Sequence, residues 1–275
     1  MSWIRESGCR TGWVAGDAVR ALMRHRLILV GLAGALLLVM AGQVLRTIDF
    51  GGAPERFLVD FSFAALALFG SGLAIIGTAQ LVFADRESGA TAMILAKPVR
   101  PLEYLLGQWA GIMLVLGFLC GGVAVLVMVM ASRPAVALEP WGEAPALVAV
   151  PWGAVLATAG AQWLKFGVVV AGTILVASYS RSSLFTILLT ATLLVVAYLR
   201  TAAQNYYGSK GGLAGVGQVA LELIPDLQLF EMADRITTVG AAPIFPALLI
   251  LAAYAAVYAG AFLGLAGWIF RRRDG

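Results

Sequence analysis

Six apolar windows alternate with polar stretches along the chain, at residues 27–45, 58–83, 104–130, 156–177, 184–199 and 244–270. A helix that crosses a bilayer needs about 20 mostly apolar residues. The pattern therefore predicts an all-α membrane protein with six transmembrane helices in a single domain over residues 27–270. The fifth window is short, and the fourth contains a lysine.

Residues 1–26 precede the first window and carry five arginines. From Trp13 onward, one helical face holds Asp17, Arg20 and Arg24, and another holds Val14, Ala18, Ala21 and Leu22. This pattern predicts an amphipathic helix along the membrane surface. A cleaved signal peptide fits less well, because 26 residues are long for its charged part and further spans follow.

Composition supports a membrane protein and excludes several enzyme classes. Of 275 residues, 61% are apolar and 12% charged, against roughly 45–50% and about 25% in soluble domains. The single histidine, His25, excludes an HExxH zinc helix and a Ser–His hydrolase. Cys9 and Cys120 have no metal-binding spacing, and no GxxxxGK[ST] loop is present. We expect no catalysis by this chain alone, and no metal, cofactor or nucleic acid bound to it.

The basic residues predict the orientation in the membrane. With the N-terminus in the cytoplasm, twelve Lys and Arg residues lie on the cytoplasmic side and six on the other. The cytoplasmic set includes the Arg271, Arg272 and Arg273 end at residues 271–275. By the positive-inside rule, both termini are expected in the cytoplasm.

The predicted cytoplasmic loop at residues 84–107 reads ADRESGATAMILAKPVRPLEYLLG. We expect a short helix over residues 87–95 that ends before Pro98, and a second helix that starts at Pro101 and enters the third span. Met93, Ile94 and Leu95 would be apolar groups exposed on a cytoplasmic loop unless a partner covers them. A simple solvated hairpin is the alternative.

The predicted extracytoplasmic stretch at residues 200–243 contains a glycine-rich part, 208–217. Two short amphipathic helices are predicted after it, at 219–224 and 225–236. In the second, Leu229, Met232 and Ile236 form a stripe, and Glu231 pairs with Arg235. These helices are expected at the outer leaflet, as an ordinary cap or as a gate.

The basic N-terminal helix, the 84–107 loop, the IPDLQLFEMADRI segment and the FRRRDG end together resemble the permease subunits of ABC-2 type (type V) exporters. The sequences of the loop and of the IPDLQLF segment look most like those of the permeases grouped with multi-copper enzyme maturation, which serve nitrous oxide reductase assembly. The resemblance implies a bacterial inner-membrane permease that moves a substrate or matures an extracytoplasmic protein.

The resemblance also implies a coupling helix that docks on a separate ABC ATPase subunit, which binds ATP and Mg²⁺. Met93 and Leu95 would be its apolar anchors, Glu87 and Arg100 its rim charges, and Gly89, Thr91 and Pro98 would set where it starts and ends. The N-terminal helix would be the elbow helix beside the ATPase contact. A second permease copy would complete a homodimer, and GxxxG spacings such as Gly107 with Gly111 and Gly117 with Gly121 offer it a close-packing face.

Four polar residues in or beside the spans are candidates for a translocation pathway: Asp60, Gln80, Gln162 and Lys165. An ionisable residue inside a bilayer is costly and is a functional candidate by default. Lys165 is the deepest, although its chain could instead extend to the interface. Asp60 is expected at the outer interface in a structural role. The competing function is an ion-coupled secondary transporter or channel that uses Lys165 and Asp60.

Overall fold

Helices and short connections make up the described part of the chain. A computed structural model describes residues 2–24, 54–88, 101–131, 152–208, 224–231 and 244–273, with separate helical positions between 31 and 42. The helices are α1 (Ser2–Arg24), α2 (Pro54–Glu87), α3 (Pro101–Ala131), α4 (Trp152–Tyr179), α5 (Ser183–Gly208) and α6 (Ile244–Arg273), with a 3₁₀ turn at Gln228–Phe230. Within these ranges, the predicted all-α class is confirmed.

Five helices, α2 to α6, contain stretches long and apolar enough to cross a membrane. The predicted first span lies mostly outside the described residues, so six spans stay a prediction. The glycines that the structure describes in this predicted span lie against α2. A Cβ added to Gly31 would come 2.8 Å from Leu73, and one added to Gly42 would come 3.1 Å from Phe61. The later glycine, Gly42, thus contacts the earlier residue of α2, Phe61. The two segments therefore run antiparallel.

Two predicted boundaries change. The fifth helix is not short: α5 runs for 26 residues, to Gly208, into the stretch predicted to be extracytoplasmic. The N-terminal helix starts at Ser2 rather than at Trp13. The predicted start of the third-span helix at Pro101 is confirmed, because proline fits the first turn of a helix, where its missing N–H is not needed.

Helix α4 lies at the centre of the bundle and contacts α2, α3, α5 and α6. Its apolar window is 67% buried, against 17% for α5 and 22% for α6. Phe166 on α4 packs directly onto the backbone at Gly70 of α2, where an added Cβ would overlap the ring. The core of the molecule is therefore built around α4.

Two tryptophans fix α3 against α4. Trp109 donates from Nε1 to the carbonyl oxygen of Gly167 at 3.0 Å, and Trp163 donates from Nε1 to that of Met113 at 2.8 Å. The indole of Trp163 lies 3.2 Å from a Cβ added to Gly117. Gly117, predicted as part of a face for a second copy, is thus used inside this chain.

Helix α1 packs on α3 through small residues. Ala15, Ala18 and Leu22 are buried, and a Cβ on Gly111 would lie 2.7 Å from Ala18 Cβ and 2.8 Å from the carbonyl oxygen of Ala15. As predicted, Asp17 and Arg20 are exposed on the opposite face, whereas Ala21, predicted on the apolar face, is exposed as well. Gly111 is a second glycine of that predicted dimer face that serves an internal contact.

The ends of α2, α4 and α6 and the starts of α3 and α5 meet at one end of the bundle. The Arg86 guanidinium lies 5.8 Å from the ring centre of Phe270, and Gly267 contacts Leu102. This end, here named the basic end, carries Arg86, Arg181, Arg271 and Arg272.

The α1–α3 contact predicts opposite effects for the same substitution on one helix. Gly111→Ala should lower the free energy of unfolding by about 1–3 kcal/mol, because its Cβ has no room against α1. Gly121→Ala should be neutral or stabilising, since nothing lies within 4 Å of its added Cβ and alanine favours a helix by up to ~1 kcal/mol over glycine. Thermal unfolding of both variants in detergent measures this, and equal midpoints would contradict the contact.

Candidate functional site

The loop predicted to couple to a partner joins the bundle at a buried polar cluster. Asp85, near the end of α2, accepts hydrogen bonds at 2.7 Å from the Tyr104 hydroxyl and at 2.7 Å from Gln108 Nε2. Gln108 Nε2 also donates to the Tyr104 hydroxyl oxygen at 2.6 Å. Tyr104 and Gln108 are 3% and 1% exposed. The two helices that flank residues 89–100 are therefore held together at the base of that loop.

Arg86 extends this cluster to the other helices. Its Nη1 donates to the carbonyl oxygen of Ser180 at 3.2 Å, just after α4 ends. The guanidinium also lies 5.2 Å from the ring centre of Phe83 and close to Phe270 of α6. A displacement of the end of α2 would thus act on α4 and α6.

The predicted coupling helix needs a correction at its start. Glu87 is the last residue of α2 rather than the first residue of a separate helix, since the Ser88 N–H still bonds to the Ala84 carbonyl at 3.0 Å, in the helical pattern. The other residues assigned to it lie outside the described residues: Gly89, Thr91, Met93, Leu95, Pro98 and Arg100.

Lys165 lies near the middle of α4 and is 1% exposed. Its ammonium group lies inside the bundle and donates to the Tyr198 hydroxyl of α5 at 2.9 Å. The ammonium is also 5.6 Å from the ring centres of both Phe166 and Tyr198. Such partners lower the cost of a charge that an insertion scale puts at about 2.5–3.5 kcal/mol.

Glu231 is the acidic residue whose negative charge attracts the Lys165 ammonium. It is exposed at the end of residues 224–231. Arg235, the partner that sequence analysis predicted for Glu231, lies outside the described residues. The acid belongs to residues 224–231, named the strap below, which lie across α4, α5 and α6.

The strap is irregular apart from its 3₁₀ turn and contains no α-helix, so the helix predicted to start at Pro225 is wrong over the described residues. The Gln228 N–H bonds to Asp226 Oδ1 at 3.0 Å, a local bond that competes with helix formation. Leu227 and Phe230 are buried, whereas Leu229, predicted in the apolar stripe, is 51% exposed. The strap thus packs with a different face from the one that a helix would present.

Three further hydrogen bonds tie the strap to the helices. Arg200 Nη1 donates to the Ile224 carbonyl at 2.5 Å, the Asp226 N–H donates to the Tyr254 hydroxyl at 2.8 Å, and Gln228 Nε2 donates to the Tyr198 carbonyl at 2.7 Å. Tyr198 therefore meets Lys165 through its side chain and the strap through its backbone. Sequence analysis missed Tyr198, Arg200 and Tyr254, since aromatic and basic residues near a span end are common in membrane helices.

Of the other pathway candidates, Gln162 lies near Lys165, whereas Asp60 and Gln80 do not. Gln162 lies one turn away on the same face of α4 and is 2% exposed. Asp60 and Gln80 lie on α2 ten residues to either side of Gly70, which contacts Phe166. At 1.5 Å per residue each is about 15 Å from that level, so the four predicted residues do not line one site.

The described residues contain no group of three or more His, Cys, Asp or Glu side chains placed to hold a metal ion. The Lys165 cluster (Lys165, Tyr198 and Glu231) joins α4 to α5 through the bond from Lys165 to Tyr198, and Glu231 of the strap attracts the Lys165 ammonium. No protein-family model matches the chain, and no curated protein matches it either.

The Lys165 cluster predicts that one hydroxyl matters for stability. Tyr198→Phe should lower the free energy of unfolding by about 1–3 kcal/mol, because it removes a hydrogen bond to a buried charge. The matched control is Tyr179→Phe at a side chain that is 76% exposed, and it should change little. The two midpoints of thermal unfolding in detergent give the comparison. In a Lys165→Met background, Tyr198→Phe should lower the free energy of unfolding by less than it does in wild type. An equal loss in both backgrounds would mean that the bond to Lys165 is not the source of the effect.

Proposed function

We propose that this chain is the permease subunit of an ATP-driven ABC-2 type (type V) exporter. In this proposal a separate ABC ATPase subunit binds ATP and Mg²⁺ and docks on the loop between α2 and α3. The permease transmits ATP-driven movement to a substrate or to an extracytoplasmic protein under maturation. It performs no covalent chemistry itself.

The observation that carries the proposal is the polar cluster at the base of that loop. Asp85 joins α2 to α3 through Tyr104 and Gln108, and Arg86 joins α2 to the end of α4. A loop that only connected two spans would not need such buried bonds at its base. A loop that transmits force does, because its movement must reach the other helices.

The arrangement of helices also supports the proposal. The first predicted span and α2 to α6 give six crossings, which places both termini on one side of the membrane. The basic end would face the cytoplasm of a bacterial inner membrane under the positive-inside rule. Helix α1 packs on α3 through Gly111, and in this proposal it is the elbow helix.

A second permease copy belongs to the proposal, as a homodimer. Large apolar side chains on α5 and α6 are exposed, among them Leu188, Leu249, Ile250 and Val257. In a membrane such faces contact lipid or another protein. Two copies around a shared pathway would use part of this surface.

The Lys165 cluster favours a second candidate, an ion-coupled secondary transporter or channel. A buried ammonium bonded to a hydroxyl and attracted by a nearby carboxylate, as Lys165 is by Tyr198 and Glu231, is typical of proton and ion pathways in membranes. Proton-gradient-dependent flux into vesicles that contain only this purified chain would favour that function over the first.

Copurification tests the permease proposal. The tagged chain, isolated from its native host in mild detergent, should bring a P-loop ATPase with it, and Leu95→Asp should lose that ATPase because a charge replaces an apolar anchor. Leu138→Asp is the control, since it places the same substitution in the loop predicted on the opposite side of the membrane. Glu87→Ala should weaken the association.

Two results would contradict the proposal. One is the absence of an ATPase from the wild-type preparation. The other is equal recovery of the ATPase with Leu95→Asp and with wild type, which would show that this loop is only a connector.

A further inference from the structure

An apolar cavity of about 230 Å³ lies between α4, α5, α6 and the strap. Val168 and Val176 mark its extent along α4, and Ala197 and Thr190 mark it along α5. Ile224 and Leu227 of the strap close one end, beside the Lys165 cluster. The cavity is named the slot below.

The slot is long and lies along the helices. From Val168 to Val176 the rise is about 12 Å at 1.5 Å per residue. Half of a hydrocarbon core about 30 Å thick is about 15 Å. The length of the slot is therefore close to the acyl region of one leaflet.

Water is a poor occupant of the slot. A buried water needs two to four polar partners, and Thr190 contributes the one polar side chain among the described lining residues. The Thr190 hydroxyl has no hydrogen-bond partner within the described ranges. A hydrocarbon chain fits these walls better than water does.

The surroundings of the slot suit a ligand that is apolar along its length and anionic at one end. Leu193, in its wall, is 43% exposed on the outside of the bundle, which gives access from the bilayer. Arg200 reaches the strap end through its bond to Ile224. Its Nε–H has no acceptor in the described part of the chain, and arginine suits phosphate oxygens.

We infer that the slot binds one acyl chain of a membrane phospholipid, with the phosphate beside Arg200. The second acyl chain stays in the bilayer outside Leu193. The strap covers one end of the bound chain and is held there by its bonds to Arg200, Tyr198 and Tyr254. This site is separate from the loop that contacts an ATPase in the proposed function, so each can fail without the other.

Photolabelling tests the slot directly. The purified chain is reconstituted with a phospholipid that carries a diazirine near the methyl end of one acyl chain, irradiated, and mapped by mass spectrometry. In the wild-type chain we expect residues 168–176 and 190–197 to be labelled in excess over Leu249, Ile250 and Val257, which are exposed on α6. Excess unlabelled phospholipid should compete with the probe.

Filling the slot should abolish the excess label. Gly172→Leu places its Cβ 3.8 Å from Phe262, an ordinary contact, and the rest of the side chain extends into the slot. Gly260→Leu on α6 is the control, because nothing lies within 4 Å of its Cβ, and it should keep the excess. If Gly172→Leu fails to elute like wild type in detergent, Val176→Phe replaces it.

Three outcomes would overturn the inference. If all helices of the wild-type chain were labelled equally, there would be no specific site for an acyl chain. If the excess label persisted in Gly172→Leu, the site would lie elsewhere. Displacement of the probe by a free fatty acid as efficiently as by phospholipid would rule out the phospholipid as the specific ligand.

Discussion

The charge of Lys165 is the constraint on which the arrangement around α4 depends. An ammonium at the centre of a membrane-spanning helix, 1% exposed, is tolerated only where the protein supplies partners. Helix α5 supplies the Tyr198 hydroxyl, which accepts a hydrogen bond from the ammonium, and the Glu231 carboxylate of the strap attracts the ammonium. The Tyr198 bond requires α5 to lie against α4, and the carbonyl of the same Tyr198 binds Gln228 of the strap. Once they do, the same strap closes an apolar cavity and binds α6 through Tyr254.

Helix α4 also connects the two polar clusters of the molecule. At the basic end, the carbonyl of Ser180 accepts the bond from Arg86, which follows Asp85 at the base of the loop between α2 and α3. The other cluster lies farther along the same helix. Lys165 is fifteen residues before Ser180, about 22 Å along a helix. In the proposed function, a push on the loop reaches the strap through this one central helix.

The hydropathy pattern predicted the α-helical class and the positions of α2 to α6, because lipid-facing helices must be apolar over their full length. It was weakest for α4, whose mean hydropathy of 1.5 is below the 2.8 of α3. A central helix is surrounded by protein, so it admits Gln162 and Lys165. The strap was predicted as a helix, because periodicity cannot register an Asp226 side chain that bonds to the nearby Gln228 backbone. Contacts between distant residues, such as Tyr198 with Lys165, leave no local pattern at all.

Hydrogen–deuterium exchange of the strap in a Lys165→Met chain tests the central claim most directly. The Asp226 and Glu231 amides donate to Tyr254 and to Gln228, and in wild type they should exchange slowly. Methionine keeps an apolar side chain of similar length in α4 but removes the charge that attracts Glu231 and the bond to Tyr198, whose carbonyl binds the strap. We therefore expect the strap amides to exchange faster while those of α4 stay protected. Unchanged protection of the strap would contradict the account, because it would show that the strap stays in place without the buried charge.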